Sequence, residues 1–413
     1  MKVGIFSDTH LGNTMYKNNN IPEGDRDYGR KDDYRDTFEE AVETFLREKP
    51  DYVFHAGDLL EARAEGEIYN ESIKVAIEGL SKLLKAGINV VLIEGNHDFV
   101  RSHSVENRAF SIIETALNDF VGERLFIVRA NSYGIIQTPL VPIVAFGYFY
   151  EDNPSILKSK LEESSKRIGN KPAFLILHQS VGEDIPYYSI KYSDIPQNFR
   201  VIINGHIHKP LIKVLPDRRL FINVGSTEYE NISESVDYRE ILLYDGDEFL
   251  RFVLKGVYIL ENGYLFVEKS GITDEGIIPK EYIKNESFIP LRKCRPFMRF
   301  DCDDWKTLEM ALEKIKDYGL KPPYLRVELG SENRREVEEK LTRLLDKGYI
   351  YRYFIKTKSA LIDDRGNIQI QRGGMEFEDM EPLKPYANLI RSLRGLDEEG
   401  LKERLREYFK LGR

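Results

Sequence analysis

Two histidines stand one residue apart in INGHIHKP, the segment that covers residues 203–210 of this 413-residue chain. The chain has only seven histidines, so a pair in one short segment points to chemistry. If the apolar run before them is a strand, His206 and His208 face the same side, because side chains two residues apart share a face. Two imidazoles on one face predict a site for a bound cation.

Further side chains of the metal-binding types follow other predicted strands at their carboxyl ends. They are Asp8 and His10 in SDTH, Asp58 in GDLLE, Asn96, His97 and Asp98 in GNHD, and His178 in LHQ. Ligand sites in open α/β sheets gather at this edge. One such residue alone is more often an ordinary loop residue, but so many together favour a dinuclear site. His55 and His103 are expected to be structural.

The residue types in this set indicate which ions it suits. Carboxylate, imidazole and amide groups without a thiolate fit manganese, iron or zinc. Two neighbouring cations need a ligand that spans them, and a carboxylate with two oxygens can do so. Asp58 lies between the other groups in sequence order and is the expected bridge.

The elements that position these residues alternate between strand and helix in the first half of the chain. Strands are predicted at residues 2–7, 52–56 and 89–93, and helices at 33–48, 72–85 and 104–120. This alternation predicts a parallel sheet with helices on its faces. Later strands are predicted at residues 125–128, 141–146, 173–177, 201–203, 220–224 and 241–244, with a hairpin turn at 245–247.

Composition limits the class of protein. No apolar run approaches the ~18 residues of a membrane span. The start MKVGIFSDTH lacks a cleavage site of small residues, so it is expected to be a first strand and not a signal peptide. Cys294 and Cys302 are too few for a disulfide framework and indicate a reducing, cytoplasmic compartment. The net charge of −9 argues against a protein that coats nucleic acid, but bound cations and local basic patches allow a nuclease.

As a set, SDTH, GDLLE, GNHD, LHQ and GHIH resemble the calcineurin-like metallophosphoesterase superfamily. Their order and spacing are most similar to its Mre11/SbcD nuclease branch, of the archaeal type. The resemblance implies an α/β fold: a β-sandwich flanked by helices, a small α+β capping domain and a C-terminal helix pair. The implied limits are 1–284 for the nuclease domain, 285–358 for the capping domain, 359–381 for a linker and 382–413 for the helix pair.

The same resemblance assigns roles to individual residues. The first metal is held by Asp8, His10 and His208, the second by Asn96, His178 and His206, and Asp58 bridges both. His97 faces the scissile phosphate as a catalytic residue, and Asp98 orients its ring. The implied cofactor is two Mn²⁺ per subunit, with other divalent metals as alternatives. These cations neutralise the phosphate and lower the pKa of a shared water.

The expected substrate is DNA, since this is what the branch resemblance implies. Lys209 directly follows the metal-type residues, where a phosphate chain would pass. A basic cluster at the start of the small domain either contacts DNA or is a solvated strand edge; it consists of Arg292, Lys293, Arg295 and Arg299. Two features differ from the branch and leave the shape of the DNA-facing rim unpredicted. Glu61 stands where Asp or His is common, and the segment 13–31 is long.

The expected partners are a Rad50-type ATPase and a second copy of the chain. Two amphipathic helices near the end carry apolar stripes, formed by Leu383, Tyr386, Leu389, Ile390 and Leu393 and by Leu401, Leu405, Tyr408 and Phe409. Such stripes must be buried, either on their own domain or, as the resemblance implies, on the ATPase. The chain has no Walker-type phosphate loop of its own. Residues 72–85 and 104–120 are the candidate dimer helices.

Three hypotheses of different classes follow. The leading one is a manganese-dependent DNA exonuclease and endonuclease that acts at double-strand breaks with an ATPase. The second is a small-molecule phosphodiesterase or phosphatase of the same superfamily, which would have little use for residues 285–413. The third is a non-catalytic scaffold that binds DNA ends, which has no reason to keep every metal-type residue.

Overall fold

The computed structural model describes residues 1–14, 30–62, 66–99, 109–150, 154–182, 188–230, 234–261, 288–330 and 333–357. Its helices are α1 Arg30–Glu48, α2 Gly66–Lys85, α3 Ala109–Ala116, α4 Pro154–Arg167, α5 Gly246–Val253, α6 Trp305–Asp317 and α7 Arg334–Asp346. Its strands are β1 Lys2–Phe6, β2 Tyr52–His55, β3 Asn89–Ile93, β4 Leu125–Val128, β5 Tyr133–Ile136, β6 Ile143–Phe146, β7 Ala173–Leu177, β8 Phe199–Asn204, β9 Leu211–Val214, β10 Leu220–Asn223, β11 Val236–Asp237, β12 Gly256–Glu261, β13 Phe288–Pro290, β14 Phe297–Phe300, β15 Tyr324–Leu329 and β16 Arg352–Thr357. None of these described helices is both long and apolar enough to cross a lipid bilayer.

Two six-stranded sheets form the body of the molecule. The first has the order β13-β12-β1-β2-β3-β4 and the second the order β5-β6-β7-β8-β10-β9. The strands β1 to β4 run parallel, as the strand–helix alternation predicted. In the second sheet β6, β7, β8 and β10 run parallel. Antiparallel pairs occur at β12 and β13 on one side of the first sheet and at both edge strands, β5 and β9, of the second.

Apolar side chains from both sheets share one core, which makes the pair a sandwich. Ile5, Phe54 and Val91 come from the first sheet, and Ile176 and Ile203 from the second. All five are at most 1% exposed. Burial of this continuous apolar surface is the main force that holds the two sheets together.

Helices cover the outer faces of the sandwich. Phe38 and Phe45 of α1 pack against Phe6 of β1, with ring centroids 6.2 and 5.2 Å away. On the other side, Leu157 and Leu161 of α4 belong to a second apolar cluster with the outer face of the second sheet. The expected fold class, an α/β sandwich flanked by helices, is therefore confirmed.

The strands that matter for function end at the same level. Phe6, His55 and Leu92 are neighbours across β1, β2 and β3. Leu177 and Asn204 are neighbours across β7 and β8 in the second sheet. Every metal-type segment of the sequence therefore begins at one edge of its sheet, within a residue or two of the strand end.

The prediction for the segment after β10 is wrong. Residues predicted as a strand at 241–244 form the short 3₁₀ turn Glu240–Leu243, and the predicted hairpin turn at 245–247 begins α5. The reason is helical periodicity, because Phe249, Leu250 and Val253 are buried on one face of α5. Acidic residues in its first turn also favour a helix start. The predicted helix at 104–120 is shorter, since α3 ends at Ala116.

A third sheet has the order β11-β14-β15-β16, and α6 and α7 connect its last three strands. Its strand β11 comes from before the predicted domain limit at 284, whereas β13, from after this limit, pairs with β12 in the first sheet. The domain limits stay a prediction. The predicted linker, the helix pair with its two apolar stripes, His103 and most of the 13–31 segment lie outside the described residues.

A buried ion-pair cluster joins α1 to the region of the third sheet. Arg295, just before β14, donates from Nε to Asp33 Oδ2 at 2.8 Å and from Nη2 to Asp33 Oδ1 at 3.1 Å. Lys321 Nζ donates to the same carboxylate at 2.8 Å. Burial raises the pKa of Asp33, but the hydrogen bonds and charges of Arg295 and Lys321 outweigh it and hold this pKa below its ordinary value.

We expect Asp33→Ala to lower the free energy of unfolding by about 3–5 kcal/mol, because it leaves the largely buried Arg295 guanidinium without its carboxylate partner. Lys321 keeps a second partner, Asp36 Oδ2, at 2.9 Å. The matched control is Asp32→Ala, whose carboxylate is 47% exposed and pairs with Arg35 on the surface; it should cost at most about 1 kcal/mol. Denaturant unfolding measures both. Because the folded-state pKa of Asp33 is lowered, its contribution is complete above the ordinary value of 3.8 and is lost as pH falls below it. Equal losses in the two variants would contradict this role.

Candidate metal centre

Three groups of described side chains could hold a metal ion, and the one called the first cluster here contains Asp8, His10 and His208. Another, made of His10, Glu61, His97 and Glu230, shares His10 with it. His10 Nε2 lies 3.2 Å from His208 Nε2, and Asp8 Oδ1 lies 3.6 Å from the same His208 nitrogen. The Asp8 and His10 side chains are fully buried, and that of His208 is 16% exposed. Two ring nitrogens and a carboxylate oxygen thus face one point.

The second cluster contains Asp58, His178 and His206, with the Asn96 amide between the two rings. Asn96 Oδ1 lies 3.1 Å from His178 Nε2 and 2.9 Å from His206 Nδ1. Asp58 Oδ2 is 3.1 Å from His178 Nε2 and 3.8 Å from His10 Nε2. One oxygen of Asp58 therefore reaches both clusters, which is the position expected of a bridge.

The backbone at these residues is unusual. Asp8, His10, Asp58 and His206 all have positive φ, at 50°, 41°, 54° and 74°. Non-glycine residues rarely adopt this conformation, and where they do the site is often functional. The strand β8 ends at Asn204, so the prediction that His206 and His208 face together as alternate strand residues is wrong. They turn instead into different clusters of the same site.

Glycines let the loops around the site approach closely, both within the first sheet and between the two sheets. A Cβ on Gly95 would lie 2.2 Å from Asp58 Oδ1, and a Cβ on Gly205 would lie 2.1 Å from the Ala56 carbonyl oxygen. Only glycine fits at such distances. The same Ala56 carbonyl accepts a hydrogen bond of 2.7 Å from His178 Nδ1, which directs His178 Nε2 into the second cluster.

The electrostatics of the site suit bound cations. Burial lowers the pKa of His206 to about 3. Burial also lowers the pKa of His178, but the Asp58 carboxylate outweighs it and raises this pKa to about 9. Among the described residues, no lysine or arginine pairs with the buried carboxylates of Asp8 and Asp58. Buried anions are costly without a positive partner, so carboxylate, imidazole and amide donors in this arrangement fit divalent metal ions.

A match to a known family shows which class of protein this chain belongs to. Residues 1–210, about half of the chain, match the family model for calcineurin-like phosphoesterases. The chain belongs to this family. The expected superfamily is thereby confirmed, and the protein is a metal-dependent phosphodiesterase.

Two relatives extend the similarity of this phosphoesterase beyond the matched region. A protein of Methanocaldococcus jannaschii named DNA double-strand break repair protein Mre11 is 27% identical over 422 residues, which cover 98% of this chain and 97% of that protein. A protein of the same name from Methanococcus maripaludis is 28% identical over 289 residues, 68% of this chain and 70% of that protein. The expected resemblance to archaeal Mre11 is confirmed. Among solved structures, a dimetal phosphatase from Danio rerio is 14% identical, covers 55% of this chain and 87% of that chain, and has a TM-score of 0.36.

In this phosphoesterase, Glu61 contacts the ring of His97. Its Oε2 lies 2.9 Å from His97 Nδ1 and 3.8 Å from His10 Nδ1. The predicted contact between Asp98 and this ring is wrong, since Asp98 accepts 2.7 Å hydrogen bonds from the backbone N–H groups of Leu60 and Gly95. Asp98 therefore ties the loops after β2 and β3 together, while Glu61 orients His97.

Acidic residues on the loop after β10 surround His208 of the phosphoesterase. Glu230 Oε2 lies 2.8 Å and Glu234 Oε1 3.6 Å from His208 Nδ1. Lys255 Nζ donates to Glu234 at 2.5 Å and to the His208 carbonyl oxygen at 2.8 Å. Sequence reasoning missed both glutamates, although they too follow the carboxyl end of a strand, Asn223 of β10.

His55, expected to be structural, ends β2 and is fully buried. Its Nε2 lies 3.1 Å from Thr9 Oγ1, and this hydroxyl donates to the Leu59 carbonyl oxygen at 3.0 Å. His55 thus supports the loop that carries Asp8 and His10 from behind. It does not enter either cluster.

The predicted DNA-contacting residues have different surroundings. Lys209 and Arg292 are exposed, and Lys293 is half-buried. Arg295 is 11% exposed and is paired with Asp33, and Arg299 is paired with Asp237 at 2.6 Å. The four basic residues near β14 are therefore not one uncompensated patch, and Lys209, Arg292 and Lys293 remain the better candidates for DNA contact.

Proposed function

We propose that this phosphodiesterase is a manganese-dependent nuclease for the repair of DNA double-strand breaks, with exonuclease and endonuclease activity. The observation that carries the DNA substrate is the similarity to the Mre11 protein of M. jannaschii along 98% of this chain. The two clusters support the hydrolytic chemistry, because they gather the seven residues that the family resemblance assigned to the metals. A DNA substrate also implies an intracellular, nucleoid-associated site of action.

The two clusters support the metal ligands that the family resemblance implies. Asp8, His10 and His208 would hold one Mn²⁺ and Asn96, His178 and His206 the other, with Asp58 within reach of both sets. When bound, such a pair of cations neutralises the phosphodiester and makes a water acidic enough to supply hydroxide near neutral pH. Other divalent cations with the same ligand preferences are alternatives.

His97 acts on the leaving group. Its backbone N–H donates to Asp58 Oδ1 at 2.7 Å, which fixes the residue beside the metal-bridging carboxylate. Glu61 accepts from Nδ1, so Nε2 is the ring nitrogen that delivers a proton or hydrogen bond to the departing sugar oxygen. Asp98 acts indirectly, because it holds the loop on which His97 lies.

We expect Glu61→Ala to lower kcat for DNA cleavage by about 10–100-fold, since a polar partner behind a site residue typically contributes this much. Glu61→Gln keeps an oxygen that accepts from His97 Nδ1 and should retain most of kcat. Both variants are assayed with manganese content measured in parallel. A wild-type kcat in the alanine variant would show that the 2.9 Å contact does not orient His97.

The substrate is tested with end-labelled duplex DNA in manganese or magnesium, compared with a chromogenic phosphodiester. We expect manganese-dependent cleavage of the duplex, and stimulation by ATP only when a Rad50-type ATPase is present. Efficient cleavage of the chromogenic ester alone would favour a small-molecule phosphodiesterase. Binding of DNA ends without any hydrolysis would favour a scaffold.

The proposed partners are a Rad50-type ATPase, bound through residues 382–413, and a second copy of the chain, contacted through α2 and α3. Removal of residues 371–413 should abolish co-purification with the ATPase but leave metal-dependent cleavage in place. Full co-purification of the shortened chain would refute the proposed binding segment. Sedimentation of the intact chain tests the homodimer.

A further inference from the structure

Three aromatic side chains lie beside the second cluster and belong to neither of the two described apolar cores of the sandwich. They are Phe99, Tyr148 and Tyr150, here called the aromatic ledge. All three residues are half-buried, so none is closed off from solvent as the core aromatics are. By contrast, Phe146 and Phe149 of the same segment are buried in the core against α4.

The ledge is a continuous row that begins at the metal-type residues. The Tyr148 ring centroid lies 6.1 Å from that of His206 and 6.3 Å from that of His178. Tyr150 follows edge-on at 6.2 Å from Tyr148, and Phe99 lies 6.2 Å from Tyr150. Any phosphodiester seated at the second cluster therefore has aromatic rings next to its flanking nucleoside.

The backbone beneath the ledge is firmly held. The Tyr148 N–H donates to the Glu94 carbonyl oxygen at 2.7 Å, and the Asn131 N–H donates to the Tyr148 carbonyl oxygen at 2.9 Å. Gln179 Nε2 donates to the Phe149 carbonyl oxygen at 3.1 Å. Rings on so fixed a backbone lose little freedom when a ligand stacks on them.

We propose that the aromatic ledge stacks with a nucleobase next to the phosphodiester being cut. This inference rests on the proposed nuclease function and deepens it: the substrate is a strand with an unstacked base beside the scissile phosphate. Aromatic rings bind every base through its π-face, so the contact is independent of sequence. A net charge of −9 also makes a non-ionic contact valuable, since the chain as a whole repels the phosphate backbone.

The test compares a single-stranded oligonucleotide with one that has an abasic tetrahydrofuran residue next to the cut position, both in manganese. For the wild type, we expect the abasic strand to have a KM about tenfold higher, as the loss of one stacked base implies. Tyr150→Ala should raise KM for the normal strand by a similar factor and have no further effect on the abasic strand. Tyr150→Phe keeps the π-face and should keep the wild-type KM.

The control variant is Tyr52→Ala, because Tyr52 is half-buried at the amino end of β2, opposite the site; it should leave both KM values unchanged. Phe99→Ala gives an independent reading if Tyr150→Ala folds poorly, as judged by its unfolding midpoint. If the alanine variants raise KM equally for both strands, the ledge only supports the metal cluster. If they leave KM unchanged, no base stacks there. Either result overturns only the proposed stacking on the ledge. A wild type that cuts neither strand overturns the proposed nuclease function as well.

Discussion

His97→Ala is expected to lower manganese-dependent DNA cleavage by about 10²–10⁴-fold while the protein keeps both metal ions. The first part follows from the usual contribution of a positioned acid or base. The second follows from geometry, because the His97 ring is hydrogen-bonded to Glu61, and the residues that face the two clusters are complete without it. Single-turnover cleavage measures the chemical step, and elemental analysis measures the manganese.

The informative comparison for this variant is Glu61→Ala, which removes only the partner of His97. The cleavage rate should fall less in Glu61→Ala than in His97→Ala. In the double variant it should fall no further than in His97→Ala alone, because the two residues act as one unit. Manganese missing from His97→Ala would refute the catalytic role and make His97 a ligand.

Asp58→Ala is expected to release metal and abolish cleavage together. The same oxygen of Asp58 approaches His178 and His10, at 3.1 and 3.8 Å, so its removal takes a carboxylate away from both clusters at once. Its removal also leaves two groups of buried imidazoles without a shared anion. Isothermal titration with Mn²⁺ and the duplex assay measure the two effects.

Asp51→Ala is the control for this experiment. Asp51 precedes the same strand, but its carboxylate is 61% exposed and pairs with the N-terminus, far from the carboxyl edge of the sheet. Metal content and cleavage should match the wild type. An Asp58→Ala protein that still binds two manganese ions would eliminate Asp58 as the bridge.

The convergence of the site could be predicted because a simple rule governs it. Parallel strands present their carboxyl ends at one edge, and the registers of β1 to β3 and of β7 and β8 bring those ends level. The rule uses only strand positions and residue types. It does not show that the edges of the two sheets meet, which the site requires because each cluster takes residues from both sheets.

Local details could not be predicted from periodicity. The alternation rule failed for His206, because the strand ends at Asn204 and the chain turns with φ of 74° at His206. The ring partner of His97 proved to be Glu61, three residues after Asp58, whereas Asp98, the neighbour in sequence, accepts hydrogen bonds from the backbone of its own loop and of the loop after β2. Side-chain directions in such turns depend on tertiary contacts.

Contacts between residues far apart in the sequence also could not be predicted from it. Arg295 resembled a DNA-binding residue because of its basic neighbours, but its partner Asp33 is 262 positions away in the chain. Glu230 and Glu234 reach His208 because β10 lies beside β8 in the second sheet, although a further strand separates them in sequence. Sheet order of this kind is not encoded in the pattern of any single segment.

Crystals grown with Mn²⁺ and measured at the manganese absorption edge would test the central claim most directly. The two clusters predict two anomalous peaks in each subunit, one among Asp8, His10 and His208 and one among Asn96, His178 and His206, with Asp58 in contact with both. A single peak, or peaks away from these side chains, would contradict the dinuclear centre on which the proposed nuclease depends.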